Sequence, residues 1–156
     1  MESFSRILFP VDLSASSPKV APFVSMMVRR FDAELHLVFV ARELSHFRGI
    51  NVPFPVIANL EEALVKGAEG GLEKFRDKYF PSLSNVFVSV LSGDIAEKIV
   101  AYACEKEADL IIMGTHGRKG LERIVLGSVA ERVVKAAPMP VLVINPHKVK
   151  QENKGL

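Results

Sequence analysis

A chain of 156 residues that is 49% hydrophobic is long enough to close one core and too short for two ordinary domains. Its formal charge of +2, with no Lys/Arg run interleaved with aromatics, argues against a dedicated nucleic-acid surface. Its one cysteine, Cys104, excludes an intrachain disulfide and a thiolate metal cluster.

Residues 1–11 lack the long apolar region of a signal peptide, and no apolar stretch approaches bilayer length, so the expectation is a cytoplasmic protein with no membrane partner. Ile7 to Val11 is a compact apolar run closed by Asp12, and Leu35 to Val40 is a second. Continuous apolar runs of this length predict strands buried on both faces. A helix is expected between them: Ser17-Pro18 supplies an N-cap and a first-turn proline, while Pro22 removes a donor inside the helix. Arg42 to Ala58, with Phe47 and Pro53-Phe54-Pro55, reads as a long loop.

Leu60, Leu64, Ala68, Leu72, Phe75 and Tyr79 recur at threes and fours, one face of a helix that Gly67, Gly70 and Gly71 weaken. Val86 to Leu91 predicts a third strand, and Gly93-Asp94 opens a helix through Glu105, with Asp94 and Glu97 at capping-box spacing. A strand over Leu110 to Met113, a glycine loop, a helix from Ser128 to Ala136 and a last strand Val141 to Ile144 complete the chain. Ser128 reads as the N-cap of its helix, with Glu131 closing a second capping box.

This order predicts an α/β fold: a single doubly wound, five-stranded, mostly parallel sheet with helices on both faces. Ligands in such sheets lie at strand C-terminal ends, at the topological switch point. The most polar strand ends are Asp12 and Gly114, which places the switch between the first and fourth strands.

The most informative stretch is Ile111-Ile112-Met113-Gly114-Thr115-His116-Gly117, followed by Gly127-Ser128. A buried strand runs into a glycine loop that ends at a helix start, so free amides and a positive dipole end face one cavity suited to phosphate. A P-loop is excluded, since Leu126 precedes Gly127 and Val129 follows Ser128 where Gly-Lys-Ser/Thr is required. The dinucleotide fingerprint is excluded too, because the first β-to-α turn, Asp12 to Ser17, holds no glycine. Gly-x-Ser-x-Gly is absent, and Leu91-Ser92 stands where a receiver domain places aspartate.

The remaining pattern, Gly114-x2-Gly117-x9-Gly127-Ser128, resembles the ATP-binding motif of the universal stress protein family. Ile7-Leu8-Phe9-Pro10-Val11-Asp12-Leu13-Ser14, Ala108 to Gly114 and Pro140 to Ile144 are similar to family signatures as well, so the resemblance covers almost the whole chain. It implies a Rossmann-like, adenine nucleotide alpha hydrolase-like domain over residues 1–146 and a polar tail over 147–156. Asp12 would hold the nucleoside end, with Pro10, Val11 and Val40 beside the adenine. Gly114, Gly117, Gly127 and Ser128 would line ribose and phosphate, with Met113 and Val129 adjacent. The implied ligand is ATP, or ADP or AMP, with Mg²⁺ or Mn²⁺, in a regulatory stress-response role with at most slow hydrolysis. The alternative is a nucleotide-independent dimeric interaction module of the same fold.

Other residues carry a plainer reading beside a functional one. His116 either touches phosphate or is solvated, and Arg118, Lys119 and Arg123 either screen phosphate charge or form a solvated loop. His36 is expected to be a hydrogen-bonded core residue and Cys104 a buried, inert thiol. Val141-Leu142-Val143-Ile144 is an uncharged last strand expected at a sheet edge, which predicts a homodimer paired through it.

Overall fold

The computed structural model describes residues 3–44, 51–115 and 126–148. In chain order the elements are β1 (Arg6–Pro10), α1 (Ser17–Phe31), β2 (Glu34–Ala41), α2 (Phe54–Tyr79), β3 (Val86–Ser92), α3 (Ile95–Glu105), β4 (Leu110–Gly114), α4 (Ser128–Ala136) and β5 (Val141–Ile144). The strands form one sheet in the order β3-β2-β1-β4-β5, and every pairing is parallel. The chain winds outward from β1 to β3, then returns to lay β4 against the other side of β1. The switch point therefore falls between β1 and β4, as the polar strand ends predict.

Strand alternation sorts the core into two layers. Ile7, Phe9, Val11, Leu35, Leu37, Leu110 and Ile112 point to one face, where Val20, Val24 and Val28 of α1 and Leu72 and Phe75 of α2 cover them. Leu8, Val38, Val40, Ile111 and Met113 point to the other, under Ala96, Ile99 and Ala103 of α3 and Ala130 and Val133 of α4. The central strands are buried on both sides, which is why they read as unbroken apolar runs.

Several expectations need correction. α2 begins at Phe54, not near Leu60, and takes in Pro55; Pro53 is its N-cap. Proline in a first turn forfeits no helical bond, so a motif that looks like loop starts the helix. α1 has Ser16, not Ser17, at its N-cap, and Pro22 lies within it. Cys104 is exposed rather than buried. His36 is buried and its Nδ1 lies 3.0 Å from Tyr102 Oη, but Nε2 has no hydrogen-bond partner. Among the described residues no helix is long and apolar enough to cross a membrane.

Candidate nucleotide-binding edge

Strand register assembles the first part of the site. Pro10 pairs with Val38 and Leu8 with Ile111; carried forward, these registers set Asp12 level with Val40 and Pro10 level with Met113. Val40, Met113 and Val11 are buried and Pro10 and Asp12 are half-buried, so an apolar floor ends in one carboxylate at the centre of the sheet's carboxyl edge.

The loop after β1 fixes that carboxylate. Asp12 Oδ1 accepts from Ser14 N–H at 2.9 Å and from Ser17 Oγ at 2.7 Å, a side-chain-to-backbone turn that aspartate forms readily. Ser17 is buried at the start of α1, so its hydroxyl serves Asp12 rather than a helix cap. Leu13 takes φ 60, a conformation unfavourable for a branched side chain. Its Cδ1 would stand 3.3 Å from a Cβ added at Gly71. One glycine that weakens α2 on paper thus makes room for the strained turn beside Asp12.

The second part of the site is the start of α4. Gly127 N–H donates to Thr115 O at 2.7 Å, and Thr115 N–H donates to Ile144 O at 2.9 Å, which ties the end of β4 to β5 and to α4. Gly127, not Ser128, is the N-cap, with φ −59 and no side-chain cap bond. Ser128 is the first helical residue and is exposed. The expected capping box does not form either, because the Glu131 carboxylate pairs with Lys135 Nζ at 2.7 Å. The first helical bond runs from Glu131 N–H to Gly127 O. The amides of Ser128, Val129 and Ala130 have no acceptor among the described residues, as the first turn of an uncapped helix requires.

A cavity of ≈ 390 Å³ opens at this end, lined by Arg42, Glu43, Gly93, Asp94, Ile95, Ser128, Val129 and Arg132. Gly93 N–H donates to Ala41 O at 2.9 Å, holding the β3–α3 turn against the end of β2, and its φ of 140 suits glycine. Asp94 Oδ1 caps α3 by accepting from Glu97 N–H at 3.0 Å. Both Asp94 oxygens also accept from Arg132, each at 2.9 Å. The Arg132 guanidinium, and after it the Glu97 amide, hold the Asp94 carboxyl below the usual carboxylate range.

Pro10, Val11, Asp12, Val40, Met113, Gly114, Gly127, Ser128 and Val129 therefore gather along one edge, while His116 and Gly117, with Arg118, Lys119 and Arg123, lie outside the described residues. Sequence reading missed Arg42, Glu43 and Arg132. Arg132 carried a usable signal, since it follows Ser128 by four positions and so shares its helix face. A larger groove of ≈ 670 Å³ runs along α1 past Met26, Arg29, Arg30 and Tyr79 and touches none of the strand ends.

Known proteins resemble this chain along nearly its whole length. The MJ0531 universal stress protein of Methanocaldococcus jannaschii is 37% identical over 148 residues, spanning 93% of this chain and 84% of that protein. The solved structure of MJ0577 from the same organism superposes with a TM-score of 0.79 at 28% identity, covering 91% of this chain and 96% of that one. A universal stress protein from Archaeoglobus fulgidus, solved in complex with dAMP, shares the fold at a TM-score of 0.56 and 19% identity, covering 93% and 100%. The profile of the universal stress protein family matches residues 3–145. With nearly the whole fold inside that match, this chain belongs to the universal stress protein family.

Proposed function

We propose that the chain binds an adenine nucleotide along the carboxyl edge of its sheet, ATP with Mg²⁺ or Mn²⁺ being the preferred ligand and ADP or AMP the alternatives. The observation that carries this reading is the start of α4, whose Ser128, Val129 and Ala130 amides have no acceptor among the described residues. Helix amides with a positive dipole end and no internal acceptor suit a phosphate group. The nucleoside lies toward Asp12, over Pro10, Val11, Val40 and Met113, with Gly114, His116 and Gly117 between the two ends. The A. fulgidus relative holds dAMP, which supports an adenine ligand on this fold.

Among the described residues no group of three or more His, Cys, Asp or Glu side chains could hold a metal. A divalent cation would accordingly travel on the phosphate oxygens rather than in a cluster of three or more described side chains. The role is binding, with hydrolysis at most slow.

β5 forms one edge of the sheet and exposes Leu142, which supports a homodimer through Val141 to Ile144. The same edge favours the second reading, a dimeric interaction module that needs no nucleotide. Calorimetric titration with ATP, ADP, AMP and GTP, on the parent chain and on Gly127→Val, separates them. Saturable adenine-nucleotide binding that Gly127→Val removes supports the first. No adenine-nucleotide binding at millimolar concentration leaves the second.

A further inference from the structure

Two helix starts face the ≈ 390 Å³ cavity, and they differ in what satisfies them. Gly93, Asp94 and Ile95 bring the start of α3; Ser128 and Val129 bring that of α4. The α3 end is closed from within by Asp94. The α4 end is open. A carboxylate next to an anion site repels the anion unless a cation balances it, and here the balancing cation is Arg132, bound to both oxygens of Asp94.

Arg132 sits four residues past Ser128, about 6 Å further along the helix axis and on the same face. Its fork fits a phosphate as well as a carboxylate. The Arg132 and Asp94 side chains are 50% and 42% exposed, so water screens their pairing and exchange of one anion for another is easy. A first phosphate on the α4 amides is satisfied there. Further phosphates have no amide of that turn left to meet and need a cation beyond it.

Resting on the nucleotide reading above, we propose that Asp94 and Arg132 form a latch that counts phosphates: Arg132 leaves Asp94 for the outer phosphates of a di- or triphosphate and ignores a monophosphate. Asp94 holds the arginine in place in the empty site and penalises the longer anion until the arginine moves. The pair thereby sets the preference of the site between ATP and AMP. Arg132 would contact the ligand directly, and Asp94 is a positioning residue acting through it.

The test is calorimetric titration of the full chain with ATP and AMP, with Mg²⁺ present, for the parent, Arg132→Gln, Arg132→Lys and Asp94→Asn. Asparagine caps a helix about as well as aspartate, so Asp94→Asn removes charge without freeing the start of α3; thermal melts verify that each variant is folded. Losing one bidentate charge-assisted contact should weaken ATP about 10-fold in Arg132→Gln and AMP by clearly less, since only the screened charge of Asp94 then acts on the first phosphate. Asp94→Asn should tighten ATP roughly 3-fold or more, again with AMP changed by clearly less. Arg132→Lys should fall between parent and Arg132→Gln, because charge is kept and the fork is lost. An ATP-to-AMP affinity ratio equal in all four proteins overturns the latch and leaves nucleotide binding standing. Absence of binding by the parent overturns both.

Discussion

The two ends of the proposed site are built on opposite plans. At the β1–α1 loop every feature is internally supported: Asp12 Oδ1 already holds two donors, Ser17 is buried beneath it, and Leu13 is wedged toward Gly71. At the start of α4 three amides have no acceptor among the described residues, and the nearby ion pair is half-exposed. One end is prearranged and the other is unsatisfied. The prearranged end suits a rigid group of fixed shape, the nucleoside; the unsatisfied end suits a flexible chain of charges that brings its own acceptors.

The strongest way to break this contrast is to obstruct the open end. Gly127 has an ordinary φ of −59, so valine is compatible with the backbone there and costs no more than about 1 kcal/mol as a poorer cap. Its branched side chain should block phosphate from the α4 amides. With about 1.5 kcal/mol for each of two lost charge-assisted hydrogen bonds, ATP affinity in Gly127→Val should fall roughly 100-fold. Undiminished binding in calorimetry would show that the phosphates lie elsewhere.

The prearranged end should fail differently. Ser17→Ala removes one of the two donors to Asp12 Oδ1 and should cost about 1 kcal/mol of stability, measured by urea denaturation. Because the nucleoside end is shared by all adenine ligands, ATP and AMP should weaken together, by about 5-fold. A loss confined to ATP would place Asp12 on the phosphates instead of the nucleoside.

The same contrast explains what could be read before any coordinates. Two-sided strands, the switch between β1 and β4, and the positions of Asp12 and Gly127-Ser128 follow from apolar periodicity and from glycine spacing, which are local signals. Ser128 looked like a cap because Ser and Glu131 have capping-box spacing, yet Gly127 N–H had a better tertiary acceptor in Thr115 O and Glu131 a better partner in Lys135. The start of α2 was hidden because a Pro-Phe-Pro triplet is compatible with either loop or first turn. Asp94 was legible as a cap and not as a partner of Arg132, since that pair joins residues 38 positions apart and no sequence period reports it.

The sheet edge offers a third test, smaller in its effect on ligand. Leu142 is 39% exposed on β5, and a lysine there is the device that edge strands use against pairing. Leu142→Lys should shift light-scattering mass from dimer toward monomer, with AMP affinity within about 2-fold of the parent because β5 contributes none of the amides proposed to receive phosphate. A parent chain that is monomeric at micromolar concentration would instead remove β5 as an interface.

The smallest effect comes from a polar group that neither end uses. His36 lies inside the α3 face, stacked on Phe87 at 5.0 Å, with Nδ1 on Tyr102 and Nε2 at 3.7 Å from Glu34 Oε2 without a hydrogen bond. Burial pushes its pKa below the ordinary imidazole value of 6.5, and this outweighs the attraction of Glu34. On acidification the unfolded chain takes up this proton first. The stability contribution is therefore complete above pH 6.5 and is lost as pH falls from there toward the folded value, at no more than about 1.4 kcal/mol per pH unit. Asp94 and Glu131, whose folded values are also lowered, add their own loss only near roughly pH 4. Thermal melts should thus be flat above neutrality and decline as pH falls below about 6.5, and His36→Phe should flatten that decline. Equal slopes in parent and variant would mean that the imidazole takes up its proton alike in the folded and unfolded chain, and a parent that gains stability on acidification relative to the variant would mean that Glu34 wins over burial.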